Sequence, residues 1–89
     1  MNIKELLERN YNSTVKRGLI KKETTPEEFI NKIFDEYIEL VIEHRKFSLH
    51  EDTFYELADI ILVCLNFATH YDIDIFKYLE QKIEINENR

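Results

Sequence analysis

One stretch limits the possible folds of this chain more than any other. From Leu57 to Ala68 the sequence is apolar nearly all round: Leu57, Ala58, Ile60, Ile61, Leu62, Val63, Cys64, Leu65, Phe67 and Ala68. A helix that is apolar on every side is buried on every side. A chain of 89 residues hides only about 60–65% of its unfolded surface, so its other helices can hardly enclose this one. The pattern therefore predicts a second subunit. One Gly and one Pro leave little turn chemistry for a many-stranded sheet. The fold expected is all-α, a four-helix-type bundle that dimerises through the apolar helix at 49–70.

The remaining helices follow from spacing and caps. Ile3, Leu6, Leu7, Tyr11 and Val15 recur near the helical period, which predicts a first helix over 3–15. Gly18 stands where that helix would end, and 16–25 is the connection. Thr25-Pro26-Glu27-Glu28 is a helix start, with a capping threonine, a first-turn proline and a glutamate placed to close a capping box. This second helix should reach about Arg45, with Ile30, Ile33, Phe34, Tyr37 and Val41 as its apolar stripe, widened by Phe29, Leu40 and Ile42. Ser48-Leu49-His50-Glu51 reads as another capping box, opening the apolar helix. Asp72 or Asp74 caps a last helix from Ile75 to about Asn88, which packs through Phe76, Leu79 and Ile83.

Composition bounds what such a bundle does. Hydrophobic residues at 44% and charged residues at 34% are those of a folded domain, not a disordered chain, and the length gives one domain over 1–89. No apolar span has membrane length, and the start lacks the apolar core of a signal peptide, so the expected location is cytoplasmic. A net charge of −6 argues against binding a nucleic-acid polymer. Lys4 to Lys22 nevertheless carries six basic and two acidic residues, a segment suited to helping hold a polyanion. The single cysteine, Cys64, reads as a small buried hydrophobe. His44, His50 and His70 have no spacing that suggests a metal site or a triad, and no glycine-rich phosphate loop occurs.

The chemistry lies in two pairs of carboxylates. Glu36 and Glu39 stand three residues apart, as do Glu56 and Asp59, and that spacing makes each pair neighbours on a helix face. The pairs mirror each other about a point between Phe47 and Ser48. In an antiparallel hairpin Glu36 lies level with Asp59, and Glu39 with Glu56, the two levels about 4.5 Å apart. Glu43 fits the same line but finds no partner in the next helix. Asp59 abuts the most apolar run in the chain, yet Arg45 and Lys46 sit at the turn and Lys32 is a turn too far to neutralise it. Four carboxylates without a cation repel one another. Oxygen-only ligands suit Mg²⁺, or Mn²⁺, rather than zinc. The metal ligands expected are Glu36, Glu39, Glu56 and Asp59.

Asp35-Glu36-x-x-Glu39 followed by Glu56-x-x-Asp59 resembles the paired acidic motif of the all-α nucleoside triphosphate pyrophosphohydrolases, the group that includes MazG, the dimeric dUTPases and phosphoribosyl-ATP pyrophosphohydrolase. The end of the chain, with Lys82, Asn86 and Arg89, is similar to the MazG tail. The resemblance covers roughly residues 25–89. It implies a helical bundle forming a homodimer or a dimer of dimers, and cleavage of a nucleoside triphosphate to a monophosphate and pyrophosphate. It also implies that the four acidic residues hold Mg²⁺ and that Lys82, Asn86 and Arg89 reach phosphate or sugar, across the dimer. Asp35 stands where the family usually has Glu, and Ile38 replaces a residue that is often small. In the mechanism expected, Asp35 or Glu39 takes a proton from the attacking water. Two alternatives accompany this reading: a phosphoribosyl-ATP pyrophosphohydrolase-like enzyme, and a non-catalytic helical dimer that binds a regulatory partner.

Overall fold

The computed structural model describes every residue from Met1 to Arg89. Four helices follow in order: α1 (Ile3–Lys16), α2 (Pro26–Phe47), α3 (Glu51–His70) and α4 (Ile75–Glu87). No strand occurs, so the all-α class read from the sequence holds. No helix is long and apolar enough to cross a membrane.

Most helix ends are made by the residues that announced them. The Thr25 hydroxyl accepts from the Glu28 N–H at 3.2 Å and faces the Glu28 carboxylate at 3.3 Å. A cap of this kind stabilises a helix by about 1 kcal/mol. Asp74 accepts from the Lys77 N–H at 3.3 Å. Gly18 adopts φ +76 just after α1. A Cβ there would meet nothing within 4 Å, so the left-handed backbone, not lack of space, favours glycine.

The α2–α3 turn departs from the expected capping box. Ser48 does not cap α3. It ends α2 instead, with φ 59, and its N–H donates to the His44 carbonyl at 2.8 Å. The cap of α3 is His50, whose N–H donates to the hydroxyl of buried Thr53 at 3.4 Å. That hydroxyl in turn donates to the Ser48 carbonyl at 3.0 Å. A serine already holding the C-terminus of one helix cannot also open the next, so α3 begins at Glu51 rather than Leu49.

α2 and α3 form an antiparallel hairpin that is the main packing unit. α1 lies against α3, and α4 takes no comparable part. At one end of the hairpin Phe29 stacks on Phe67 with ring centroids 5.1 Å apart, and His70 and Tyr71 close around them. The Tyr11 hydroxyl meets His70 Nδ1 at 2.7 Å, and the Tyr71 hydroxyl donates to the Thr24 carbonyl at 2.7 Å. His70, half-buried at the end of α3, thus links α1 to α3. This aromatic end fixes the rotation of α2. Phe29 is buried, so Glu36, seven residues on and on the same helical face, is buried too. The expected stripe splits as a result: Phe29 is buried and Ile33, Leu40 and Val41 are half-buried, whereas Ile30, Phe34, Tyr37 and Ile42 are exposed.

The chain leaves unusually much apolar surface open. A folded monomer of 10.8 kDa exposes about 5,500 Å², whereas this chain exposes 7169 Å². Its radius of gyration is 14.6 Å, against about 12 Å for a domain of this length. Only Ile20, Phe29 and Ala68 are buried hydrophobic residues, and none of them completely. The apolar helix is not enclosed within one chain: Leu57 is 51% and Ile61 53% exposed.

Candidate metal centre

The hairpin realises the register read from the sequence. Asp59 feels the charge of Glu36, and Glu56 feels most strongly that of Glu39. One oxygen each from Glu36, Glu56 and Asp59 lies within 4.8 Å of the other two. Oxygens that share a hard divalent ion at about 2.0–2.6 Å lie up to about 4–5 Å apart, so the trio is on that scale. Glu39 stands outside that trio, and its charge bears on Glu56. Asp35 is exposed, on the wall of an adjoining cleft.

The trio is short of positive charge. Glu36 Oε2 and Glu56 Oε2 are buried without any hydrogen-bond partner. The Glu56 carboxyl is held above its ordinary range, first by loss of water, then by the charges of Glu39 and Asp59. Asp59 is raised first by loss of water and then by Glu36, with Lys32 and Arg17 pulling the other way. Unpartnered buried carboxylate oxygens are costly, and a hard divalent cation satisfies them. The donor set fits Mg²⁺.

Two cations border this site. Lys32 makes no ion pair with Asp59 but does pair with its neighbour in the cluster, Glu36. Its Nζ reaches Glu36 Oε1 at 2.9 Å, because a four-carbon stem spans one helical turn. Its own pKa is raised, chiefly by that bond. Lys32 and Arg17 both line a cleft of about 480 Å³ that opens beside Glu36 and Asp59 between α1, α2 and α3. Of the basic residues between Lys4 and Lys22, only Arg17 reaches this cleft.

The charges have a thermodynamic consequence. Glu56 and Asp59 have raised folded-state pKa values, so the folded chain binds protons more tightly than the unfolded one. The penalty is full above the folded pKa values and is relieved as pH falls through them toward the unfolded values of 4.5 and 3.8. The metal-free protein should therefore melt at a higher temperature at about pH 5 than at about pH 7, the sign that linkage requires. Added Mg²⁺ should raise the melting temperature at neutral pH and do so less at the lower pH. Thermal scans over that range, with and without Mg²⁺, check both; a magnesium effect that grows on acidification would contradict the assignment.

The other expected site residues lie elsewhere. Lys82, Asn86 and Arg89 are exposed on α4 and just beyond its end, and none lines the cleft. Glu43 does find a partner in the next segment, since His50 Nε2 lies 3.5 Å from it, and Lys46 pairs with it at 3.3 Å. These two contacts occupy the carboxylate. Cys64 is exposed rather than buried, yet loss of water at its sulfur pushes the thiol up, away from the reactive thiolate.

No family model matches the chain, and no curated protein or solved structure matches it either. The likeness to the pyrophosphohydrolases rests on its two acidic motifs and its tail.

Proposed function

We propose that this chain is a Mg²⁺-dependent nucleoside triphosphate pyrophosphohydrolase of the all-α, MazG-like type, acting as a homodimer. The observation that carries the reading is the convergence of Glu36, Glu56 and Asp59 oxygens within 4.8 Å, two of these side chains with a buried oxygen lacking a partner, beside a cleft bearing Arg17 and Lys32. Carboxylates for a cation and cations for an anion, side by side, suit a metal-bound polyphosphate.

Glu36, Glu56 and Asp59 would hold the ion, with Glu39 as the further acidic residue beside Glu56. Bound there, a divalent ion would screen phosphate charge and make water more acidic. Arg17 and Lys32, both on the wall of the cleft, orient phosphate oxygens. Glu39 or Asp35 accepts the proton of the attacking water. A bond forms from that water oxygen to the α-phosphorus while the bond to the bridging oxygen breaks, and pyrophosphate departs in line. Lys82, Asn86 and Arg89, remote from the cleft of their own chain, serve the substrate only from a second copy.

The Lys32–Glu36 ion pair favours a second reading, a non-catalytic helical dimer with an internally neutralised acidic patch. A panel of nucleoside and deoxynucleoside triphosphates and phosphoribosyl-ATP, assayed for pyrophosphate with Mg²⁺ or Mn²⁺, separates the readings. The enzyme releases pyrophosphate from at least one, and Glu39→Gln slows it. No release from any of them, together with no calorimetric Mg²⁺ binding, would leave the scaffold.

A further inference from the structure

The cleft holds one group that phosphate and metal leave unused. Asn66 is buried, 5% exposed, and lines the cleft. Its position is seven residues beyond Asp59, on the same face of α3 and about 10.5 Å farther along it. Its neighbours fix the orientation of its amide. The Thr14 hydroxyl donates its proton to the Asn10 carbonyl at 2.9 Å, so toward Asn66 it offers only lone pairs. Asn66 must therefore turn its NH₂ to Thr14, and Nδ2 donates to Thr14 Oγ1 at 3.1 Å. The amide of Asn10 is engaged as well, donating to the Leu62 carbonyl at 2.9 Å. What remains is Asn66 Oδ1, a buried acceptor with no partner.

A buried acceptor of this kind calls for a donor. The chain supplies none. The site lies two helical turns from the carboxylates, with the cationic Arg17 and Lys32 in the same cleft. A ligand with phosphates at the acidic end reaches Asn66 only with the part farthest from them. In a nucleotide that part is the pairing edge of the base, and every common base carries an N–H there.

We propose that Asn66 is a base-binding residue of the cleft, its Oδ1 accepting a hydrogen bond from the pairing-edge N–H of a nucleobase. This rests on the nucleotide reading above. Thr14 is a positioning residue, since its lone pairs fix which way the Asn66 amide is turned.

The test is calorimetric titration of the full chain, with Ca²⁺ in place of Mg²⁺ to hold back turnover. Each of the four ribonucleoside triphosphates is paired with an analogue whose pairing-edge N–H is deleted or methylated, and inorganic triphosphate is the base-free control. The best-bound nucleotide should lose about tenfold or more in affinity when its N–H is removed, the worth of one buried hydrogen bond. In Asn66→Leu the two should bind alike, while inorganic triphosphate binds as before. Equal binding of nucleotide and analogue by the native chain overturns the proposal whether or not the variant folds, and so does a tenfold ratio that survives in Asn66→Leu. In both cases triphosphate binding leaves the metal reading intact. Failure to bind any triphosphate with the metal removes both.

Discussion

Glu56→Gln should abolish metal-dependent turnover and at the same time make the metal-free protein more stable. The two effects come from one cause. Glu56 sits among Glu39, Asp59 and Glu36 with its carboxyl pushed up by lost water and by their charges. A neutral amide of the same shape removes that repulsion, so the melting temperature at neutral pH should rise. The amide is also a poorer ligand for a hard cation. Removing one charged group from a pre-organised site costs on the order of 10²- to 10³-fold in rate. Pyrophosphate release and thermal scans on one preparation read both. A purely structural carboxylate predicts the reverse, lower stability and no effect on an ion. If Glu56→Gln melts earlier than the parent at neutral pH, the repulsive cluster is wrong.

Ile61→Glu should split a dimer into monomers. Phe54, Leu57, Ile61 and Cys64 are all exposed and follow one another by three, four and three residues, the seam of a helix that packs on another helix. The excess of exposed area, about 1,600 Å² over a monomer of this mass, is roughly twice the ~800 Å² per partner of a standard interface. That is the scale of subunits that do not stand alone. An unpaired carboxylate in such a seam is expensive, and should weaken association by about 100-fold or more. Sedimentation of the native chain should give a dimer, and Ile61→Glu a monomer with a lower melting temperature. A native chain that sediments as a stable monomer at tens of micromolar would remove the dimer from the proposal, along with any role for Lys82, Asn86 and Arg89 at the site.

What the sequence disclosed, and what it withheld, divides along the range of the interaction. Thr25 and Asp74 cap helices because a cap involves residues three apart, and such signals need no knowledge of the fold. The pairing of Glu36 with Asp59 and of Glu39 with Glu56 was equally legible, since a short turn between two helices leaves one register. Ser48 misled because two helix ends compete for it, and the outcome depends on a left-handed φ that the residue type does not declare. The Lys32–Glu36 pair was missed because Lys32 was weighed only against Asp59, not against the carboxylate one turn along its own helix. Arg17 was legible only as one of six basic residues in a segment suited to a polyanion, and Asn66 carried no signal, because contacts distant in sequence bring both to the cleft. The orientation of α2 was misjudged for a related reason. Two of its faces are apolar, and the aromatic end at Phe29 decides which turns inward.

Lys32 has a further consequence for which ions the carboxylates accept. Its ammonium is an incumbent tethered to the backbone, and it returns to Glu36 without sacrificing the freedom of a dissolved particle. Sodium or potassium, bearing the same single charge, gains little by evicting it. An ion with twice the charge in a small radius interacts with each oxygen about twice as strongly at equal distance. On the metal reading proposed above, the hairpin would discriminate by valence before it discriminates by size.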